Sequence, residues 1–174
     1  KNTFSNTFIN SKIVACVIPF FNHPMRIELF SIQENAFIYV SSGEPHKNHL
    51  NLFEAWNLLS ENQYRPILYT TLSDDQFLQI KNKFPNLNNV INLGFMDITE
   101  LHKKLSLIKY SIFPSTLETI GLGLIESVNA KCKVICSNLP FVEEVISPSL
   151  SFDPFDAQDI ADKVLFALTY DLPE

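Results

Sequence analysis

Short apolar runs alternate with helix-period segments along most of this chain, and that alternation limits the fold more than any other feature. "KIVACVI" (12–18), "AFIYVSS" (36–42), "PILYTT" (66–71), "NVINLGF" (89–95), "YSIFPS" (110–115), "CKVICS" (132–137) and "LSF" (150–152) have the length and the β-branched or aromatic content of buried strands. Helices are expected between them. One covers 47–62, with Leu50, Phe53 and Leu58 on its core face. Others cover 74–84, opened by Ser73 or Asp74, and 97–108, capped by Asp97. A fourth starts between Thr119 and Gly121 and runs to about Ala130, and shorter or final ones lie at 141–146 and 156–168. Strand and helix in turn imply an α/β domain, a mainly parallel sheet with helices on both faces. Residues 1–174 fit one such domain with a real core. Ligands of these sheets bind beyond the carboxyl ends of the strands, where the strand-to-helix loops gather.

The charge balance narrows the partners. A net charge of −6, with Arg26 and Arg65 as the only arginines, argues against a nucleic-acid footprint. No apolar stretch approaches the roughly 20 residues that span a bilayer, and "KNTFSNTFINSK" lacks the apolar centre of a secretory signal. Cys16, Cys132 and Cys136 point to a reducing compartment. The last two lie in an alternating strand-like run with no Cys or His partner at ligand spacing, so they read as structural thiols and no metal is expected.

At average usage of about 7% a chain of this size would carry roughly a dozen glycines; this one has four. Gly43, Gly94, Gly121 and Gly123 all fall after strands, on the expected ligand-facing rim. Turns that need positive φ would explain them. The opposite rim, however, turns on Asn, Pro and Asp, so close approach of backbone to a ligand is the stronger expectation.

The stretch "FPSTLETIGLGLIES" (113–127) sets Glu118 and Glu126 on either side of Gly121 and Gly123. The first N–H groups of the helix, from about Ile120 to Gly123, lack intrahelical partners and carry the positive end of its dipole. A phosphate suits that end. Carboxylates repel phosphate but accept hydrogen bonds from hydroxyl pairs. Glu118 precedes the helix, and Glu126 lies about five residues in, roughly 7–8 Å along the axis. Hydroxyls, then phosphates, then hydroxyls describe a nucleotide-sugar. The competing account makes Glu118 a solvated first-turn acid and Glu126 a surface residue. In "SSGEPHKNHL" (41–50), Lys47 stands at a helix start, where the dipole disfavours a cation unless an anion is bound. A solvated lysine after a Pro turn, with Asn48 capping, is the alternative. His46 and His49 suit turn or packing roles.

Together these segments resemble the donor-sugar domain of the group 1 (family 4) glycosyltransferases, whose GT-B fold has two Rossmann-like halves. The likeness runs from about residue 13 to residue 168. "PSTLETIGLGLIES" resembles the family's PS-x-x-E-G-F-G-L-P-x-x-E-A segment, with Glu118 and Glu126 in its E-x7-E positions. "EPHKNHLNLFEAW" resembles its phosphate-lysine stretch, "VINLGFMDITELHKKL" its V-x-F-L-G strand and loop, and "SFDPFDAQDIADKV" its FDP-x-D ending. The resemblance implies a retaining transfer of a hexose, mannose or glucose, from a UDP-, GDP- or ADP-linked donor to a surface-glycan or lipopolysaccharide acceptor. It implies no metal or other cofactor.

By the same resemblance, Glu118 and Lys47 form the catalytic pair, Glu118 holding the transferred sugar and Lys47 the diphosphate. Glu126 binds the ribose, the N–H groups of Ile120, Gly121, Leu122 and Gly123 face sugar and diphosphate, and backbone near Phe95 and Met96 holds the base. Thr70 and Thr71 end a strand beside the site and are candidates for further contacts. Three departures stand out. Ser41 and Ser42 occupy the place of a Gly-Arg pair, which leaves charge neutralisation to Lys47, the helix end and His46. Thr119 replaces a Gly, and Lys131 replaces another, expected to be a cheap change at a helix C-terminus. The acceptor-binding half would precede residue 1, so the chain is expected to be the donor half alone, inactive by itself. A cytoplasmic setting, peripheral at the inner membrane face through that missing half, goes with this. A non-catalytic nucleotide-sugar or interaction module on the same fold is the competing function. A response-regulator-like domain would need an acidic cluster at the first strand end, and "VIPFFN" has none.

Overall fold

In a computed structural model of the chain, residues 32–84 and 87–173 are described. The strand expected over 12–18, with Cys16, "VIPFFN" and Arg26, lies outside them. The described elements are β1 (Gln33–Tyr39), a 3-10 turn (Pro45–Lys47), α1 (His49–Leu58), β2 (Ile67–Thr70), α2 (Asp74–Lys81), β3 (Val90–Asn92) and α3 (Ile98–Leu105). They continue with β4 (Ile108–Phe113), α4 (Leu122–Asn129), β5 (Lys133–Ser137), α5 (Pro140–Glu143), β6 (Leu150–Phe152) and α6 (Ala157–Thr169). Among the described residues the strands form one sheet in the order β3-β2-β1-β4-β5-β6, and every neighbouring pair is parallel.

The helix starts follow local chemistry. Ser73 accepts from the Gln76 N–H, Asp97 from those of Thr99 and Glu100, and Asp156 from that of Gln158, each satisfying donors that a first helical turn leaves open. β1 is buried on both faces because its side chains alternate between two cores. Phe37 and Tyr39 join the larger cluster with Phe53, Trp56, Tyr110 and Val164; Ala36 and Ile38 join a smaller one with Leu101, Leu105 and Cys132. Phe37 stacks on Tyr110 at 4.7 Å between ring centroids and meets the edge of Trp56 at 5.4 Å.

Three expectations change here. β1 begins at Gln33 and ends at Tyr39, so Ser41 and Ser42 belong to the loop. The face of α1 that packs inward carries His49, Leu52, Phe53, Ala55 and Trp56, while Leu50 and Leu58 are 43% and 52% exposed. The i, i+3, i+4, i+7 stripe runs through a histidine, which hides it from a count of apolar residues. Lys131 is no cheap replacement, for it sits at φ 63. Its N–H bonds Val128 O at 2.9 Å and that of Cys132 bonds Ser127 O at 3.0 Å, a Schellman close whose left-handed residue favours glycine.

Candidate donor-binding site

Between β1 and β4 the strand order reverses direction, and the crevice beyond their carboxyl ends is where sheets of this order take ligands. The loop after β1 supplies Lys47 and the loop after β4 supplies Glu118. Lys47 Nζ lies 2.7 Å from Glu118 Oε1, and their side chains are only 17% and 11% exposed. Sequence spacing puts Lys47 at the start of an α-helix. It instead closes the 3-10 turn, and Asn48 separates that turn from α1 with φ 59. Asn48 does not cap α1 with its side chain. Its Nδ2 donates to Pro114 O at 3.1 Å and to Pro154 O at 2.6 Å, tying the loops after β4 and β6 to the lysine turn.

A second set of bonds sews the β1 and β4 loops together. Tyr39, at the end of β1, donates its hydroxyl to Lys47 O at 3.0 Å and lies 2.7 Å from Ser115 Oγ. Thr116 donates both its N–H (2.8 Å) and its hydroxyl (3.2 Å) to His46 O. Ser137 Oγ, from the end of β5, donates to Phe113 O and Ser115 O. None of these partners was legible in the sequence, because each bond joins loops that meet only once the sheet has formed.

α4 follows with Gly121 as its N-cap at φ 68, ψ 39, a left-handed conformation that costs a side-chain-bearing residue about 1–2 kcal/mol. The N–H of Leu124 turns back to Gly121 O at 2.9 Å. Those of Ile120, Gly121, Leu122 and Gly123 donate to no protein group among the described residues, so the amino end keeps the open donors expected of it. Gly123 has a packing reason: a Cβ there would lie 2.6 Å from Phe113 Cζ. Ser127 fixes the helix depth. Its Oγ donates to Gly123 O and lies 2.7 Å from the buried Ser111 Oγ of β4. Glu126 projects from the second turn of α4, half-buried. Burial pushes its carboxyl above the usual carboxylate range, and His102 on α3 opposes that shift.

The remaining candidates divide. His46 serves through its backbone carbonyl, and His49 is buried with Nε2 2.9 Å from Ser41 Oγ and 2.9 Å from Ser42 O. Ser42 is exposed and donates its hydroxyl to Glu44. Thr70 offers no contact surface: it is fully buried and its hydroxyl donates to Asn92 Oδ1 at 3.1 Å. The hydroxyl of Thr71 exchanges bonds with Ser41 N and O, fastening the loop after β1. Phe95 stands 94% exposed beyond β3, and Met96 packs on the smaller core. Gly94, just before them, takes φ 68 with open space around it. Among the described residues no three His, Cys, Asp or Glu side chains converge as metal ligands, and no helix is long and apolar enough to cross a membrane. Cys132 and Cys136 are buried thiols, pushed up to about 12 by that burial.

The structure brings one ammonium and one carboxylate together, with the open N–H donors of α4 following Glu118 in the same loop, a set that can grip an anion beside hydroxyls. Glu126 makes no polar contact with that pair among the described residues. Comparisons with known proteins place the chain in a family. The E. coli O-antigen chain mannosyltransferase B is 28% identical over 140 residues, covering 77% of this chain and 37% of its own length. The chain thus spans little more than a third of that relative. Among solved structures, the C-terminal domain of a group 1 glycosyl transferase, LpcC, from Francisella tularensis superposes with a TM-score of 0.67 at 19% identity, covering 81% of this chain and 78% of that one. S. aureus TarM superposes with a TM-score of 0.71 at 20% identity, covering 84% of this chain and 31% of its own. The family model described as glycosyl transferases group 1 matches residues 25–172, and this chain belongs to that family.

Proposed function

We propose that residues 1–174 form the donor-binding half of a retaining hexosyltransferase that moves mannose or glucose from a nucleotide-diphospho-sugar to a surface-glycan or lipopolysaccharide acceptor. The observation that carries this is the meeting of Lys47 and Glu118 at 2.7 Å, beside the open amino end of α4. The diphosphate rests on the N–H groups of Ile120 to Gly123 and on Lys47. Glu118 accepts from hexose hydroxyls and Glu126 from the ribose. Backbone around Phe95 and Met96 holds the base edge. Negative charge grows on the diphosphate as the sugar–phosphate bond breaks, and each preorganised donor aimed at it contributes about 2.7–4 kcal/mol. Glu118 positions the sugar, since a retaining transfer brings the acceptor in from the leaving-group face. The acceptor is held by a preceding half, at the cytoplasmic face of the membrane, and no metal takes part. The relative named as an O-antigen mannosyltransferase and the TarM structure solved with UDP support this reading.

Calorimetry with UDP-glucose, GDP-mannose and ADP-glucose tests it. One of them binds, and Glu126→Ala weakens it by tenfold or more, equal to about 1.4 kcal/mol. Unchanged affinity in that variant rejects the assignment of Glu126. One observation favours a non-catalytic sugar-nucleotide or interaction module: beside Lys47 the loop carries Ser42 bonded to Glu44, where a second cation would serve a diphosphate. Failure of all three donors to bind would favour an interaction module.

A further inference from the structure

We propose that the Lys47–Glu118 ion pair lets this site distinguish an intact nucleotide-diphospho-sugar from the nucleoside diphosphate left after transfer, favouring the first and helping to expel the second. The inference rests on the donor-binding reading above and adds a selectivity that the reading does not contain. The two side chains come from residues 71 apart in sequence, and both are largely shielded from water. The backbone from which Lys47 reaches is fixed, because its carbonyl is held by Tyr39 and its turn is closed by Asn48 N on Pro45 O at 3.1 Å.

A diphosphate that takes hold of Lys47 must therefore share the ammonium with a carboxylate 2.7 Å from it, or pull the ammonium away. Both alternatives are unfavourable for a bare diphosphate. Sharing sets phosphate oxygens against Glu118 where screening is poor. Separation leaves Glu118 shielded and without its partner, the costly outcome for a pair of this kind. The intact donor escapes the conflict. Its hexose hydroxyls donate to Glu118 as the diphosphate draws Lys47 off, so each group exchanges one partner for another. After transfer the hexose leaves, Glu118 loses its hydroxyl partners, and Lys47 returns to it at the expense of the diphosphate. The neighbouring loop deepens the competition, since Ser42 donates to Glu44 and provides no second cation.

Isothermal titration of matched pairs tests this on the whole chain: GDP with GDP-mannose, UDP with UDP-glucose, and ADP with ADP-glucose. The wild type binds the sugar nucleotide of its own pair more tightly than the free diphosphate. Glu118→Gln removes the competing charge but keeps a hydrogen-bonding group, so it tightens the free diphosphate and lowers the preference about tenfold, equal to about 1.4 kcal/mol. A variant that is only partly folded weakens both ligands alike, so a tighter free diphosphate separates the competition from damage. If Glu118→Gln, with the denaturation curve of the wild type, binds the free diphosphate no more tightly than the wild type does, this proposal is overturned and the donor-binding reading stands. No binding of any pair by the wild type overturns the donor-binding reading, and this proposal with it.

Discussion

The ring of Phe113 lies so close to Gly123 that a Cβ there would sit 2.6 Å from its Cζ and 3.0 Å from its Cε2. The ring has little room to retreat, being almost fully buried and set edge-on to Tyr39 at 5.2 Å. Gly123→Ala should therefore lower stability by about 1–3 kcal/mol, as overpacking does. Urea denaturation reads the loss, and adding Phe113→Leu should restore part of it. A change within about 0.5 kcal/mol, the range of an ordinary surface substitution, would show that the ring yields.

Tyr39→Phe deletes the one hydroxyl that joins the lysine turn to the serine after β4. Lys47 O loses its donor and Ser115 Oγ loses a neighbour inside the protein. The expected cost is about 1–3 kcal/mol, measured by denaturation at neutral pH. Where donor binding is detected, affinity should fall as well, since Lys47 loses its anchor. Full stability in this variant would mean that water replaces the hydroxyl without penalty.

His49 makes stability depend on pH in a stated direction. Its Nε2 proton goes to Ser42 O, and Nδ1 is buried without a hydrogen-bond partner among the described residues. Burial lowers its pKa from 6.5 to about 4. Between those values the unfolded chain holds a proton that the folded one refuses. Stability from this residue is therefore full above pH 6.5 and is lost as the pH falls toward 4, by at most about 3 kcal/mol. Denaturation curves at pH 7 and pH 4.5 should show His49→Gln losing less than the wild type over that interval. Equal losses would show that His49 takes no part.

Lys131→Gly should stabilise the chain. The φ of 63 at Lys131 carries a strain of about 1–2 kcal/mol for an L-residue, offset in part by the greater freedom of glycine when unfolded. A rise in thermal midpoint is expected. A fall would mean that the lysine side chain contributes more than its backbone costs.

Much of this architecture could be read from the residues alone, and the reasons are local. Ser73, Asp97 and Asp156 mark helix starts through bonds within three residues, and strands such as Lys133–Ser137 lie within their apolar runs. The placement of Glu126 in the second turn of α4 was legible for the same reason. What escaped was non-local or masked by residue type. His49 completes the buried stripe of α1 although it is not apolar, so a count of apolar residues points Leu50 and Leu58 inward. Thr70 sits at a strand end on the correct rim, yet its side chain points to Asn92 within the sheet. The packing demand on Gly123 escaped as well, because Phe113, ten residues earlier, is brought beneath it only by the return of α4 over β4. The hydroxyls of Tyr39, Ser115 and Ser137 gave no signal, since each finds its partner through the sheet rather than along the chain.

The strand order has a consequence for how the chain comes off the ribosome. β1 reaches completion early, but its neighbour on one side, β4, is made only after β2, α2, β3 and α3. A nascent chain that stops after β3 owns the ammonium and lacks both acids. Contacts separated by so much intervening sequence form slowly, so the crevice is among the last parts of the molecule to exist, and a stalled or truncated product carries half of it.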